Sequence, residues 1–317
     1  MSSLVRGKDV DWLEWRRHGI GGSDAAAIAG LSPWRSQFAL WLIKTGQLRD
    51  DAEESEAMRW GTLLEPVICD EFERRNELAV VDRQTCVEDP YEPWRRVTLD
   101  GLVVSPSDRS LPLGIYEGKT TSTLRYGLDW SEGLPDHYAL QVQHALSVTA
   151  QARAWVTCLV GGQRLRVFEV QRDEDVIELL LRFERTFWAR VEGRLGPPPV
   201  DGSVHTTAAI REALRASTPG KAVELPAELA PTLKTLVEAK SAIKVAEGWA
   251  REAQNALMVS MGDAEVAYLD GREVVTWREH EEHRLDQKAL REAEPALAER
   301  YTRTSTVRTF LVKGGTA

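Results

Sequence analysis

The spacing of apolar residues changes period along the 317-residue chain. Helical spacing comes first. Asp9 to Arg17 and Ser23 to Ala29 read as short helices, the second with Ser23 or Asp24 as its N-cap. Ser32–Pro33 opens a third through Phe38, Leu40, Trp41 and Ile43, with Gly46 as its stop. Thr62 to Asn76 is amphipathic, with Val67, Ile68 and Phe72 on one face. Pro66 fits its first turn if Thr62 is the cap and kinks it if the helix starts earlier. The period then shortens to two. Val97–Leu99 and Leu102–Val104 read as strand, Ser105 to Ser110 as a turn, and Leu113 to Thr121 as the returning strand of a hairpin. Asp136 to Thr149 is a helix with Tyr138, Val142, Ala145 and Leu146 as its stripe. Ala154 to Val160 and Arg164 to Val170 are strands around Gly161–Gly162, and Asp173 to Arg194 is a long helix. This order predicts an α/β domain with a central mixed β-sheet flanked by helices.

Gly193 to Ser203 concentrates Gly and Pro, which sets a boundary near residue 200. The expected domains are 1–200 and 201–317. The second begins with helices over Thr206–Ala216 and Pro226–Met261, the latter rich in Ala, Lys and Glu like an exposed helical hairpin or coiled-coil arm. Asp270–Gly271 joins two strands, Ala264–Tyr268 and Glu273–Trp277. A helix from Gln287 to Arg300 and a strand from Val307 to Val312 complete a small α+β module.

The chain carries 40 Lys and Arg against 49 Asp and Glu, a formal charge of −9. That balance excludes a protein that coats nucleic acid by bulk positive charge, though not an enzyme with a local basic surface. The acid excess falls between residues 51 and 200, whereas the first 50 residues are slightly basic. Three separated cysteines, Cys69, Cys86 and Cys158, offer neither a zinc ribbon nor a disulfide framework. No secretory leader and no apolar run of membrane length is visible, so a cytoplasmic location with no membrane contact is expected.

The chemistry concentrates in Leu99–Asp100–Gly101 and, after the hairpin turn, Glu117–Gly118–Lys119. Strand alternation puts Glu117 and Lys119 on one face, and a hairpin can bring Asp100 beside Glu117. Two close carboxylates repel unless a cation lies between them, and hard oxygen ligands favour Mg²⁺ or Mn²⁺ over zinc. Lys119 would position a water or stabilise developing negative charge. The plainer account is an exposed hairpin with a surface Glu–Lys pair. Glu65 shares a helix face with Ile68, Cys69 and Phe72, and Gln141 shares one with Tyr138 and Val142, so both are polar groups on apolar stripes. Gln143, two residues on, cannot share the face of Gln141. Arg17 precedes Gly19–Ile20–Gly21–Gly22–Ser23, a Gly-rich loop that could offer backbone N–H groups to a phosphate; Ser23 by itself reads first as a simple N-cap. That loop lacks the third glycine and preceding strand of a dinucleotide site, and His280 and His283 lack metalloprotease spacing.

Taken in order, RHGIGGSD (17–24 from Arg17), SPW (32–34), WGTLLEP (60–66), LDG (99–101), EGK (117–119) and QVQ (141–143) resemble the YqaJ-type viral recombinase family, phage-type nucleases similar to lambda exonuclease. The resemblance spans about residues 9–195. It implies a restriction-endonuclease-like core of the PD-(D/E)xK type and a DNA exonuclease that acts on duplex ends, 5′ to 3′, to expose single strands for an annealing protein. By position it implies Asp100, Glu117 and the following carbonyl as Mg²⁺ ligands, with Mn²⁺ as the alternative, and Glu65 as a third carboxylate. Lys119 would orient the attacking water, Gln141 (or Gln143) would order the site, and Arg17 and Ser23 would hold a phosphate. It also suggests a homo-oligomer, a trimer in related nucleases. Two positions depart from the pattern: Leu99 stands for the usual Pro, and Gly118 for an apolar residue, which loosens the strand. The alternatives are an endonuclease of the same fold and a weakly catalytic DNA-binding subunit.

Overall fold

The strand pairs, more than the helices, decide where the candidate residues lie. The structure is a computed structural model that describes residues 4–6, 12–50, 55–304 and 307–312. The chain divides into two compact units, Met1–Arg215 and Ala216–Ala317.

The first unit begins with β1 (Leu4–Arg6), α1 (Trp12–Arg17), α2 (Gly22–Ile28), α3 (Gln37–Lys44) and α4 (Glu56–Asn76). It continues through β2 (Ala79–Val81), β3 (Thr85–Glu88), β4 (Arg96–Leu99), β5 (Gly101–Ser105) and β6 (Asp108–Thr121). Then come α5 (Thr123–Asp129), α6 (Asp136–Thr149), β7 (Arg153–Val160), β8 (Arg164–Gln171), α7 (Glu174–Val191) and α8 (Val204–Ala213). The main sheet has the order β2-β5-β6-β7-β8. It is mixed because β6 and β7 run parallel while the other neighbours are antiparallel. A smaller sheet, β1-β3-β4, is hydrogen-bonded separately, and its Val87, Val97 and Leu99 share the core with Ile115 of β6. The two strands read on either side of Asp100 therefore belong to different sheets, and Asp100 occupies the step between them.

Helices cover both faces of β6. On one side Ile115 packs with Val142, Ala145 and Leu146 of α6. On the other, Tyr116 packs with Cys69 and Phe72 of α4, the Phe72 and Tyr116 rings 5.1 Å apart. The α4 helix starts earlier than expected, because Ser55 and not Thr62 caps it, accepting from the Met58 N–H. Pro66 thus lies inside the helix. Ile68, Cys69 and Phe72 are buried, but Val67 is exposed, so the expected face is rotated. The strands β1, β2 and β3 were not legible in the sequence, being only three or four residues long. The first part of the expected helix over Asp9–Arg17 lies outside the described residues. The α8 helix packs on α3, with Ala209 against Ala39 and Leu42, and Thr206 bonded to Ser36 at 2.6 Å. That packing carries the first unit past the Pro-rich stretch to Arg215.

A buried charge network ties β4 to α6 and α7. The Arg95 guanidinium donates to Glu184 (2.8 Å), Asp89 (2.7 Å) and the Ser147 hydroxyl (2.8 Å). Glu184 also meets His144 Nδ1 at 2.7 Å, and the other His144 nitrogen meets the Arg96 carbonyl at 3.0 Å. Burial alone would raise the Glu184 carboxyl, but His144 and Arg95 together hold it below its ordinary range.

The second unit contains α9 (Ala230–Met261), β9 (Val266–Leu269), β10 (Arg272–Thr276), α10 (Gln287–Ala293) and α11 (Pro295–Arg300). Of the helical hairpin or arm expected over Pro226–Met261, the structure has the arm, one helix of 32 residues, α9. Asp270 and Gly271 both have positive φ, as a two-residue hairpin turn of this hand requires. Pro295 divides the last helix in two, since proline has no N–H to continue the first ladder. Residues 307–312 form no strand, a correction to the expected one: the segment pairs with neither β9 nor β10.

Removing one partner of a buried ion pair leaves the others uncompensated. Glu184→Ala is therefore expected to lower unfolding free energy by about 3–5 kcal/mol in urea titrations. A loss below about 1 kcal/mol would show that the network is not a structural tie.

Candidate active site

The β6 strand delivers Glu117 and Lys119 to its α6 face, and the α6 helix delivers Gln141 to meet them. Lys119 Nζ and Gln141 Nε2 both donate to the same oxygen, Glu117 Oε1, each at 2.6 Å. Glu117 is buried, at 6% exposure, so these donors replace the water its carboxylate would otherwise hold. Asp100 reaches the site from the step between the sheets, where its Oδ2 accepts the Gly118 N–H at 2.9 Å. Burial pushes the Asp100 carboxyl up to about 8, the charge of Glu117 adding to the rise, while Lys119 and the Gly118 N–H oppose it. Burial pulls the Lys119 ammonium down, but Glu117 and Asp100 more than offset it and leave it raised. The site is thus short of positive charge: one ammonium faces two carboxylates.

Gly118 keeps its place in β6, paired with Thr157 of β7, so the strand is not interrupted there. A Cβ at Gly118 would meet Tyr116 and Asp100 only at ordinary contact distance. Glu65 approaches from the α4 side of the sheet and is held by Gln84, whose amide donates to it at 2.6 Å. Among the described residues, no three His, Cys, Asp or Glu side chains converge as a metal cage. The three carboxylates Glu65, Asp100 and Glu117 are therefore not assembled into one cage in this structure. The pair Asp100 and Glu117, with the neighbouring main-chain carbonyl of Gly118, still fits a hard divalent cation. Mg²⁺ commonly takes one or two carboxylates and completes its shell with water and substrate phosphate.

Gln143 is not brought to the site. It is buried, its amide donating to the Gln171 carbonyl at 2.7 Å and accepting the Asp173 N–H at 3.0 Å. Its role is to fasten α6 to the start of α7. Arg17 is exposed and forked onto Glu14 at 2.7 and 3.1 Å. Arg16 meets Ser23, donating to its hydroxyl at 2.9 Å across the loop between α1 and α2.

The Gly-rich loop is built for close packing. A Cβ at Gly19 would come within 2.2 Å of Arg96 and 2.6 Å of the Trp94 carbonyl, and one at Gly22 within 3.1 Å of Gln141. The loop bonds to the edge of β4, Ile20 N–H donating to the Trp94 carbonyl and Arg96 N–H to the Ile20 carbonyl. Gly21 precedes α2, and its N–H donates to Asp24 at 3.0 Å, so Ser23 and Asp24 lie inside the helix and are not its cap. Asp24 is paired with Lys44 at 2.7 Å, both side chains 2% exposed. Burial raises the Asp24 carboxyl, but Lys44 and Arg16 outweigh that and hold it at about 2. Burial also pulls Lys44 down, and Asp24 restores it only in part.

Aromatic residues gather beside the site. Lys119 Nζ lies 5.0 Å from the Tyr138 ring, Tyr138 lies 5.8 Å from Trp34, and Trp34 meets His137 edge-on at 4.8 Å. Trp34 is 60% exposed. It belongs to the SPW motif.

Because the Asp24 carboxyl lies lower in the fold than its ordinary value of 3.8, its stabilisation is complete above pH 4 and is lost as pH falls toward 2. We expect Asp24→Asn to lower stability at neutral pH by about 2 kcal/mol and to flatten the acid dependence in that window. Acid titrations followed by circular dichroism measure both; an unchanged acid slope would contradict the pairing.

Comparisons with known proteins place the chain in a family. Residues 11–152 match the YqaJ-like viral recombinase domain. The chain is 32% identical over 308 residues to the uncharacterized protein YqaJ of Bacillus subtilis, covering 96% of this chain and 93% of that protein. Among solved structures it is similar to an alkaline exonuclease from Laribacter hongkongensis, at 19% identity and a TM-score of 0.48, covering 58% of this chain and 93% of that one. A phage related exonuclease from Haemophilus somnus aligns at 12% identity and a TM-score of 0.37, covering 56% and 96%. On the extent and identity of the YqaJ match, this chain belongs to the YqaJ-like viral recombinase family.

Proposed function

We propose that the chain is a Mg²⁺-dependent DNA exonuclease of phage-type recombination that hydrolyses duplex DNA from its ends, 5′ to 3′, and leaves single strands for an annealing protein. The observation that carries this reading is the convergence of Lys119 and Gln141 on one oxygen of Glu117, with Asp100 fixed beside them through Gly118 N–H. A nuclease needs hard oxygen ligands, a cation near the attacking water and a polar group that fixes the ligand carboxylate, and these residues supply all three.

Asp100, Glu117 and the Gly118 carbonyl would hold the cation, Mg²⁺ or Mn²⁺, with Glu65 serving from α4. Bound there, the metal supplies charge neutralisation at the scissile phosphate and acidifies water near neutral pH. Gln141 keeps one Glu117 oxygen oriented, which leaves the other for a ligand. The Lys119 ammonium, kept charged by the two carboxylates, orients water and offsets negative charge that develops on the phosphate. Arg16 and Ser23 form a donor pair suited to a terminal or backbone phosphate, with Arg17 on the neighbouring surface. Exposed Trp34, in line with Tyr138 and Lys119, offers a face on which a base of the cut strand can stack. The 201–317 module is an accessory to assembly, DNA or the annealing partner.

Digestion of end-labelled linear duplex tests the reading. Activity is expected only with Mg²⁺ or Mn²⁺, to fall by at least about a hundredfold in Glu117→Gln and Lys119→Ala, and to favour 5′-phosphate over 5′-hydroxyl ends. A closed circular duplex should remain intact; its cleavage would favour the endonuclease reading. DNA binding without cleavage under any divalent cation would identify a non-catalytic subunit instead.

A further inference from the structure

The α9 helix is the longest element of the chain, yet Met261 is its one buried residue. Ile243 is 58% exposed, Trp249 69% and Leu257 50%. Apolar side chains along so long a helix call for another surface to cover them.

The apolar positions repeat every seven residues: Leu236, Ile243, Ala250 and Leu257. Three residues after the first three stand Ala239, Ala246 and Ala253. These are the two core positions of a heptad, sustained through most of the helix. The outermost positions of the same heptad, Lys234, Ser241, Gly248 and Asn255, are polar or lack a side chain, whereas Leu233, Val237, Val245 and Val259 lie beside the seam and are exposed.

Two such helices laid antiparallel have a symmetric register in which every bulky residue meets a small one. Ile243 then lies against Ala246 of the second copy, Leu236 against Ala253, and Ala250 against Ala239. The flanking positions agree with the same register. In an antiparallel pair like flanks face each other, which places Lys240 opposite Glu247 of the second copy, twice by symmetry, and Trp249 opposite Ala242. In a parallel pair Lys240 and Glu247 would face Thr235 and Ala242 and make no charge pair. Neither Lys240 nor Glu247 has an ion-pair partner within the described residues, and seven positions separate them, two turns apart along the helix.

We propose that α9 binds α9 of a second copy of this chain as an antiparallel coiled coil, in the register that pairs Ile243 with Ala246 and Lys240 with Glu247. The partner is another molecule of the same protein, and none of the residues in this register belongs to the candidate nuclease site.

The test uses the full-length chain and light scattering coupled to size exclusion. Lys240→Glu places two glutamates opposite each other, and Glu247→Lys places two lysines opposite each other. Each single variant is expected to halve the particle mass of the unchanged chain, with helix content by circular dichroism unaltered. The chain carrying both substitutions should regain the original mass. An equimolar mixture of the two single variants should also regain it, because their charges complement only across an antiparallel pair. Ile243→Asp should halve the mass with no such rescue. A mass that is the same for all variants, or a mixture that fails to restore it, would overturn the proposal. DNA digestion by the single variants reports on the nuclease reading separately, so the two can fail independently.

Discussion

A carboxylate as deeply buried as Glu117 must be answered by donors, and the first unit is arranged around that requirement. The two donors come from different elements: Lys119 from the same strand two residues on, and Gln141 from α6. The α6 helix can supply Gln141 only if it lies flat on the β6 face. The apolar layer of Ile115, Val142, Ala145 and Leu146 holds it there by burial, and Gln143 and His144 fasten its other sides to α7 and β4. Gly22 brings α2 so close to Gln141 that even a methyl group there would press on it. The polar centre thus depends on close packing that extends well beyond it.

The same constraint explains the position of Asp100. A continuous hairpin would place it at a strand end facing solvent. Here β4 and β5 belong to different sheets, and the step between them turns Asp100 inward onto the Gly118 N–H. Two carboxylates with one ammonium leave a deficit of positive charge in a partly dry site. A divalent cation and a phosphate together would complete that balance, which is why the nuclease reading accounts for the arrangement better than a surface Glu–Lys pair does.

Much of this was legible in the sequence because it is local. Strand alternation placed Glu117 and Lys119 together, and helix periodicity put Gln141 and Gln143 on different faces. What was not legible depends on long-range partners. Nothing near Gln143 announces that Gln171 and Asp173 will consume its amide. Nothing in the spacing of Arg16 and Arg17 shows which of them Ser23 meets, since Glu14 and the packing of α2 decide it. The short strands β2 and β3 carry too few residues for a period, and Ser55 competes with Thr62 as the α4 cap on equal local terms. The hairpin at Asp270–Gly271, by contrast, needs positive φ at two adjacent positions, and that demand is written in the residue types.

The central claim is that Asp100 and Glu117 form a divalent-cation site, and Mn²⁺ binding followed by electron paramagnetic resonance addresses it without reference to turnover. The account predicts that the unchanged chain binds Mn²⁺ and that Mg²⁺ competes for it. It predicts that Asp100→Asn and Glu117→Gln each weaken binding by about tenfold or more, whereas Gln143→Ala leaves it in place. Equal Mn²⁺ binding by the unchanged chain and by Glu117→Gln would contradict the account.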